Sequence, residues 1–205
     1  MSPKFVLLLG SYDDQTKELL KNLKNRLVGD FRAEEVFIFS LNTLYAFIAD
    51  SYQVIVECWS ETDATIFIFQ KGQLNEVDEI DFEVSPNKAV EEYMRKNFHA
   101  QTFAEISVLE KLETIFSTAL LTLVIREREE TRGGELVELT YLATSYKGDR
   151  MWFLKKDGLP ISTMVKELLV ALKIGLATFQ DSAELATESV RIIRAELARR
   201  RALSK

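Results

Sequence analysis

Two glycines followed by two carboxylates, Gly133-Gly134-Glu135 and then Glu138, form the stretch of this chain best suited to chemistry. Glycine lets a ligand approach the backbone closely, and a carboxylate near a helix start is favoured in its charged form by the helix dipole. Such a carboxylate could serve as a nucleophile, or could stabilise an oxocarbenium-like centre at an anomeric carbon. Glu138 is the stronger candidate of the two. Glu135 falls in the first turn, where capping and dipole interactions compete for it, whereas Glu138 lies between the apolar Val137 and Leu139. The plainer account of the same residues is a helix start whose acids simply suit the dipole.

Two more stretches carry polar groups to loop positions. Gly10-Ser11-Tyr12-Asp13 follows an apolar run, at the turn where ribose or phosphate groups bind in doubly wound folds. A single glycine gives no dinucleotide fingerprint, and Asp13 and Asp14 disfavour a phosphate there, so a ribose hydroxyl is the better match. A capped turn without a ligand accounts for this stretch equally well. In the charged loop from Arg126 to Arg132, those two arginines offer contacts to a phosphorylated ligand, unless the run is only a solvated loop. One histidine, His99, and one cysteine, Cys58, give no spacing for a metal cluster or a disulfide framework, and no cofactor is implied.

The elements that must position these residues follow an alternating order. Phe5–Leu9, Val36–Phe39, Ala119–Ile125, Met151–Leu154 and Ile174–Phe179 read as five buried strands. Between them lie helical stripes: Leu19, Leu20, Leu23 and Leu27, ending at Gly29; then Val90, Met94 and Phe98 after Ser85-Pro86. A capping box at Thr102–Glu105 leads into Leu109, Leu112 and Phe116, and a helix follows from the glycines through Glu138 to about Tyr146. Met164, Leu168 and Leu172, with Val165 and Leu169, form the next stripe, and Ala186, Val190, Ile193 and Leu197 the last. The expectation is a single α/β domain over residues 1–205. It is a Rossmann-like five-stranded parallel sheet in flavodoxin-like order, 2-1-3-4-5, with helices on both faces. Residues 52–84 read as an inserted antiparallel β meander, its last strand Glu76–Val84 after a turn at Lys71-Gly72-Gln73, following a short helix at 41–50. The rival reading is one long helix from Leu44 to Trp59. In the 2-1-3-4-5 order the crevice opens between the first and third core strands, bringing Tyr12 toward Glu138.

The residues Gly134-Glu135-Leu136-Val137-Glu138-Leu139-Thr140-Tyr141-Leu142-Ala143 after an apolar strand resemble the segment of nucleoside 2-deoxyribosyltransferases, and of TIR-like domains, that carries the catalytic glutamate. Glu138-Leu139-Thr140-Tyr141 fits that register, with threonine where the family favours glycine. Leu8-Leu9-Gly10-Ser11-Tyr12 resembles the first strand and turn, with serine in place of proline. The chain is also similar to an archaeal domain family of the same plan, through Gly158–Met164 and Thr178–Leu185. The resemblance implies a nucleoside or nucleotide ligand and, if catalytic, N-glycosidase or deoxyribosyltransferase-like chemistry at Glu138. A non-catalytic nucleotide-sensing or protein-interaction module is the alternative.

The formal charge of −6 disfavours nucleic acid as a partner, and the basic last helix is answered by interleaved acids such as Glu188 and Glu196. No run approaches the length of a membrane span, no leader is apparent, and cysteine usage suits a cytoplasmic location. The free strand edge of the insert allows a homodimer.

Overall fold

The computed structural model describes residues 4–11, 13–34, 36–40, 44–58, 64–70, 73–79, 86–107, 110, 113, 115–116, 119–129, 139–141, 143–144 and 148–203. The chain divides into two compact units, Thr43–Thr114, and Lys4–Asn42 together with Ile115–Lys205.

The second unit is an α/β Rossmann-like fold. It contains β1 (Lys4–Leu9), α1 (Asp14–Phe31), β2 (Val36–Ser40) and β8 (Leu121–Arg126). β9 (Met151–Lys156), α3 (Thr163–Ala171), β10 (Gly175–Phe179) and α4 (Ser182–Leu203) complete it. All five strands pair in parallel in the order β10-β9-β8-β1-β2, the 2-1-3-4-5 order expected. Phe5 to Leu9 are all buried, which is why the strand is a continuous apolar run rather than an alternating one. Val6 and Leu8 join Leu121, Leu123 and Ile125 in a cluster covered by Leu20, Leu23 and Leu27 of α1 and by Leu185, Ile192 and Ile193 of α4. Side chains alternate across a strand, so Phe5, Leu7, Leu9, Val124 and Phe153 fill the other face.

Several boundaries differ from the sequence expectation. α1 does not stop at Gly29 but continues to Phe31, whose ring is fully buried. That burial outweighs glycine's poor helix propensity at an open position where a Cβ would meet nothing. Met164 does not line the buried side of α3: it is 79% exposed, and Leu169 is the residue of that helix that is buried. α3 ends with Lys173 at φ 57, the Lys173 amide donating to the Val170 carbonyl and the Ile174 amide to the Leu169 carbonyl. This is a Schellman ending with a lysine in the left-handed position usually given to glycine.

The other unit is an antiparallel sheet ordered β6-β5-β4-β3-β7. Its strands are β3 (Leu44–Ala49), β4 (Tyr52–Cys58), β5 (Ala64–Gln70), β6 (Gln73–Glu79) and the short β7 (Ala104–Glu105). The expected meander is present as β4, β5 and β6, but two readings are corrected. Residues 44–49 are strand, not helix, and the continuous helix from Leu44 to Trp59 is excluded with it. Phe47 and Ala49 are buried while Ile48 is exposed, a period of two. Asp50 adopts φ 48, and Ala49 pairs with Tyr52 across a tight hairpin. The last meander strand starts at Gln73 rather than Glu76, because Gln70 pairs with Gln73; residues 80–84 lie outside the described set.

α2 (Pro86–Phe98) begins at its proline and buries Val90 and Met94 against Phe47, Val54 and Val56. His99, exposed at φ 54, follows its end. The expected capping box at Thr102–Glu105 does not start a helix: Ala104 and Glu105 pair with Ile48 and Phe47. The reciprocal bonds form five residues later. Ser107 N–H donates to the Glu110 carboxylate at 2.9 Å, and Glu110 N–H donates to the Ser107 hydroxyl at 3.3 Å.

Candidate functional site

In a parallel sheet of this order the direction of winding reverses between β1 and β8, and the strand ends there leave a crevice. The two strands are direct neighbours, with Leu9 beside Val124. Gly10, Ser11 and Asp13 leave the end of β1, while Arg126, Glu127, Arg128 and Glu129 leave the end of β8.

Gly10 is required by packing. A Cβ at this position would lie 2.9 Å from the Thr16 Cγ2 and 3.1 Å from the Leu20 Cδ1. Glycine therefore lets the first turn of α1 seat against the end of β1. Ser11 is buried and its hydroxyl bonds the Asp13 carboxylate. Asp13 is the N-cap of α1. Its Oδ1 accepts from the Thr16 amide at 2.9 Å and its Oδ2 from the Thr16 hydroxyl at 2.8 Å. Partial burial pushes the Asp13 carboxyl up. The Thr16 amide and hydroxyl, the Ser11 hydroxyl and the Arg128 guanidinium outweigh it and hold the group down at about 2.

The β8 side brings its charges by a different route. Arg126 turns its guanidinium back onto its own loop, Nε donating to the Arg128 carbonyl at 3.3 Å and Nη2 to the Glu129 carbonyl at 3.5 Å. Arg128 reaches across the crevice instead, its Nη2 3.3 Å from Asp13 Oδ1, between residues 115 apart in sequence. Both side chains are 38% exposed, so the pair is partly open to solvent. On the β9 side Lys156 lies 3.9 Å from Glu127, and Lys155 donates to the Leu159 carbonyl at 2.7 Å.

Of the sequence candidates, Gly10, Ser11, Asp13 and Arg126 therefore converge on one strand-end crevice. Tyr12, Arg132, Gly133, Gly134, Glu135 and Glu138 lie outside the described residues. Immediately after Glu138, Leu139, Thr140 and Tyr141 are helical and Leu139 is fully buried, as expected for the inward-facing neighbour of Glu138. Arg128 was not singled out by sequence. It stands in an alternating run of arginines and glutamates, and only the loop geometry selects it as the cation that meets Asp13.

Chemically the crevice offers an ionised carboxylate, a guanidinium and a buried hydroxyl. Asp13 already occupies the N-terminus of α1, the position at which a ligand phosphate is bound in many doubly wound folds, so a second anion there meets a fixed negative charge. Among the described residues no group of three histidine, cysteine, aspartate or glutamate side chains gathers to hold a metal, and no helix is long and apolar enough to cross a membrane. No protein-family model matches the chain, and no curated protein matches its sequence.

Proposed function

We propose that the parallel-sheet unit binds a nucleoside or nucleotide at the crevice between β1 and β8, and that Glu138 acts on the N-glycosidic bond of that ligand. The observation that carries the binding half is the meeting of Asp13 and Arg128 across the point where winding reverses, in the sheet order that opens a crevice there. Asp13 is charged throughout the neutral range, and as an acceptor it suits ribosyl hydroxyls better than phosphate. The catalytic half rests on the resemblance around Glu138 and on the inward packing of Leu139 directly after it. A carboxylate at that position would stabilise positive charge developing at the anomeric carbon.

The test is a panel of nucleosides, nucleotides and NAD incubated with the purified protein, with release of free base followed by chromatography. Release by the native protein that vanishes in Glu138→Gln, with the circular dichroism spectrum retained, supports the reading. No release from any substrate, with ligand-induced thermal stabilisation unchanged in Glu138→Gln, removes both the enzyme claim and this residue's role.

A non-catalytic interaction module is the second reading. It is favoured by the exposure of Met164 and Val170 at 79% each on α3 and by Leu176 on the edge strand β10. In the antiparallel unit β6 is likewise an edge strand, on which a homodimer could form. Light scattering at several concentrations separates monomer from dimer.

A further inference from the structure

We propose that Arg128 is a docking cation for a phosphate monoester on the ligand, held in reserve by Asp13 until that phosphate displaces the carboxylate. This takes its ligand class from the nucleotide-binding reading and narrows it to nucleotides carrying a terminal phosphate.

Among the described residues, Arg126 spends its guanidinium on the carbonyls of residues 128 and 129, Lys155 on the carbonyl of Leu159, and Lys156 faces Glu127. Arg128 differs. Its guanidinium has five N–H donors, yet among the described residues it makes one contact, a single Nη2 to Asp13 Oδ1 at 3.3 Å. The partner oxygen is already taken by the Thr16 amide, and the second oxygen of Asp13 by the Thr16 hydroxyl. The carboxylate therefore cannot turn to meet the guanidinium with both oxygens without releasing the cap of α1. A phosphate monoester has no such obligation. It offers three oxygens and close to two negative charges, and can accept two parallel N–H bonds from the guanidinium.

The exchange also leaves α1 intact. When Arg128 swings to the phosphate, Asp13 keeps both bonds from Thr16, and its neighbourhood remains open to ligand hydroxyls. Meanwhile Arg126 holds the turn that carries Arg128, so the cation moves by its own side-chain torsions while its backbone stays fixed. At 38% exposure the side chain is accessible to a ligand entering from solvent.

The experiment titrates inorganic phosphate, adenosine and AMP into the full chain by calorimetry at fixed, low ionic strength. Native protein is compared with Arg128→Gln and Asp13→Asn. Asparagine caps helices about as well as aspartate, so the second variant removes the competing charge and keeps the cap. The expected result is phosphate binding that tightens roughly three- to tenfold in Asp13→Asn, from loss of one nearby like charge, and disappears in Arg128→Gln. AMP binds the native protein more tightly than adenosine, and the difference closes in Arg128→Gln. Phosphate affinity that is the same in all three proteins overturns the proposal, as does the absence of phosphate and AMP binding throughout. The adenosine arm reports on the nucleoside site by itself. Adenosine bound without any advantage for AMP leaves that site standing and removes the role of Arg128. A phosphate response governed by Arg128, with no adenosine binding, does the reverse.

Discussion

Replacing Asp13 by alanine removes four interactions at once, and their magnitudes can be separated; the bond from the Ser11 hydroxyl is worth up to about 1 kcal/mol. The N-cap bond to the Thr16 amide, at 2.9 Å, is worth about 1 kcal/mol by comparison with other caps. The Thr16 hydroxyl, on a residue 1% exposed, loses its acceptor and contributes about 1 kcal/mol more. The Arg128 pair adds only a few tenths of a kcal/mol, since both side chains are 38% exposed and solvent screens them. Asp13→Ala is therefore expected to cost about 2–3 kcal/mol and to lower Tm by roughly 4–12 °C. Asp13→Asn retains the cap and should cost under about 1 kcal/mol. The pH dependence has a definite sign. The folded carboxyl titrates at about 2, below its ordinary value of 3.8, so the charged form stabilises the fold. That contribution is complete above the unfolded value and is lost as pH falls through the folded one. The difference between native protein and Asp13→Asn should hold from neutral pH to about 4 and shrink toward pH 2. Urea unfolding of the three proteins across this range is the assay. A cost for asparagine equal to that for alanine would show that charge, not capping, dominates; an alanine cost under about 0.5 kcal/mol would show that Asp13 does not hold the start of α1.

Three further changes test the packing around the same unit. Lys173→Gly should stabilise by about 0.5–1 kcal/mol, because it relieves a left-handed lysine at the end of α3, and a higher urea midpoint with an unchanged m-value would register it. Gly10→Ala should destabilise by about 1–3 kcal/mol through contact with Thr16 Cγ2, and Thr16→Ser in the same chain should recover part of that loss, which a double-mutant cycle reads directly. Glu196 is buried, yet Arg199 at 2.7 Å and Arg200 at 3.1 Å hold its carboxyl below the usual range against the opposing effect of burial. Glu196→Ala should cost about 1–3 kcal/mol, whereas Glu188→Ala, at a more exposed pair, should stay within about 0.5 kcal/mol by thermal unfolding.

The parallel sheet was legible because strands buried on both faces are written as unbroken apolar runs, as at Phe5–Leu9, and the residues between them carry helical periodicity. Segment 44–49 was misread because part of what fixes its strand state is distant in sequence. The Asp50 carboxylate that closes the hairpin accepts from the amides of Gln101 and Thr102 and from the Thr102 hydroxyl, about fifty residues away. The same distance explains the misplaced helix start. Thr102…Glu105 and Ser107…Glu110 both have capping-box spacing, and β7 pairing with β3 decides between them. At the candidate site, Gly10 was visible but its reason was not: the space a side chain would need is taken by Thr16 and Leu20, rather than left for a ligand. Arg126 and Arg128 are indistinguishable by pattern, and only the turn after β8 sends one onto carbonyls and the other to Asp13.

Ligand binding between β1 and β8 is measured most directly by amide hydrogen exchange on the full chain with and without a saturating nucleoside or nucleotide. A ligand in the crevice between β1 and β8 should slow exchange in the segments at 9–16 and 126–129, and the slowing should be lost in Arg128→Gln for AMP. Exchange unchanged at both segments, or protection confined to the unit Thr43–Thr114, would contradict the account.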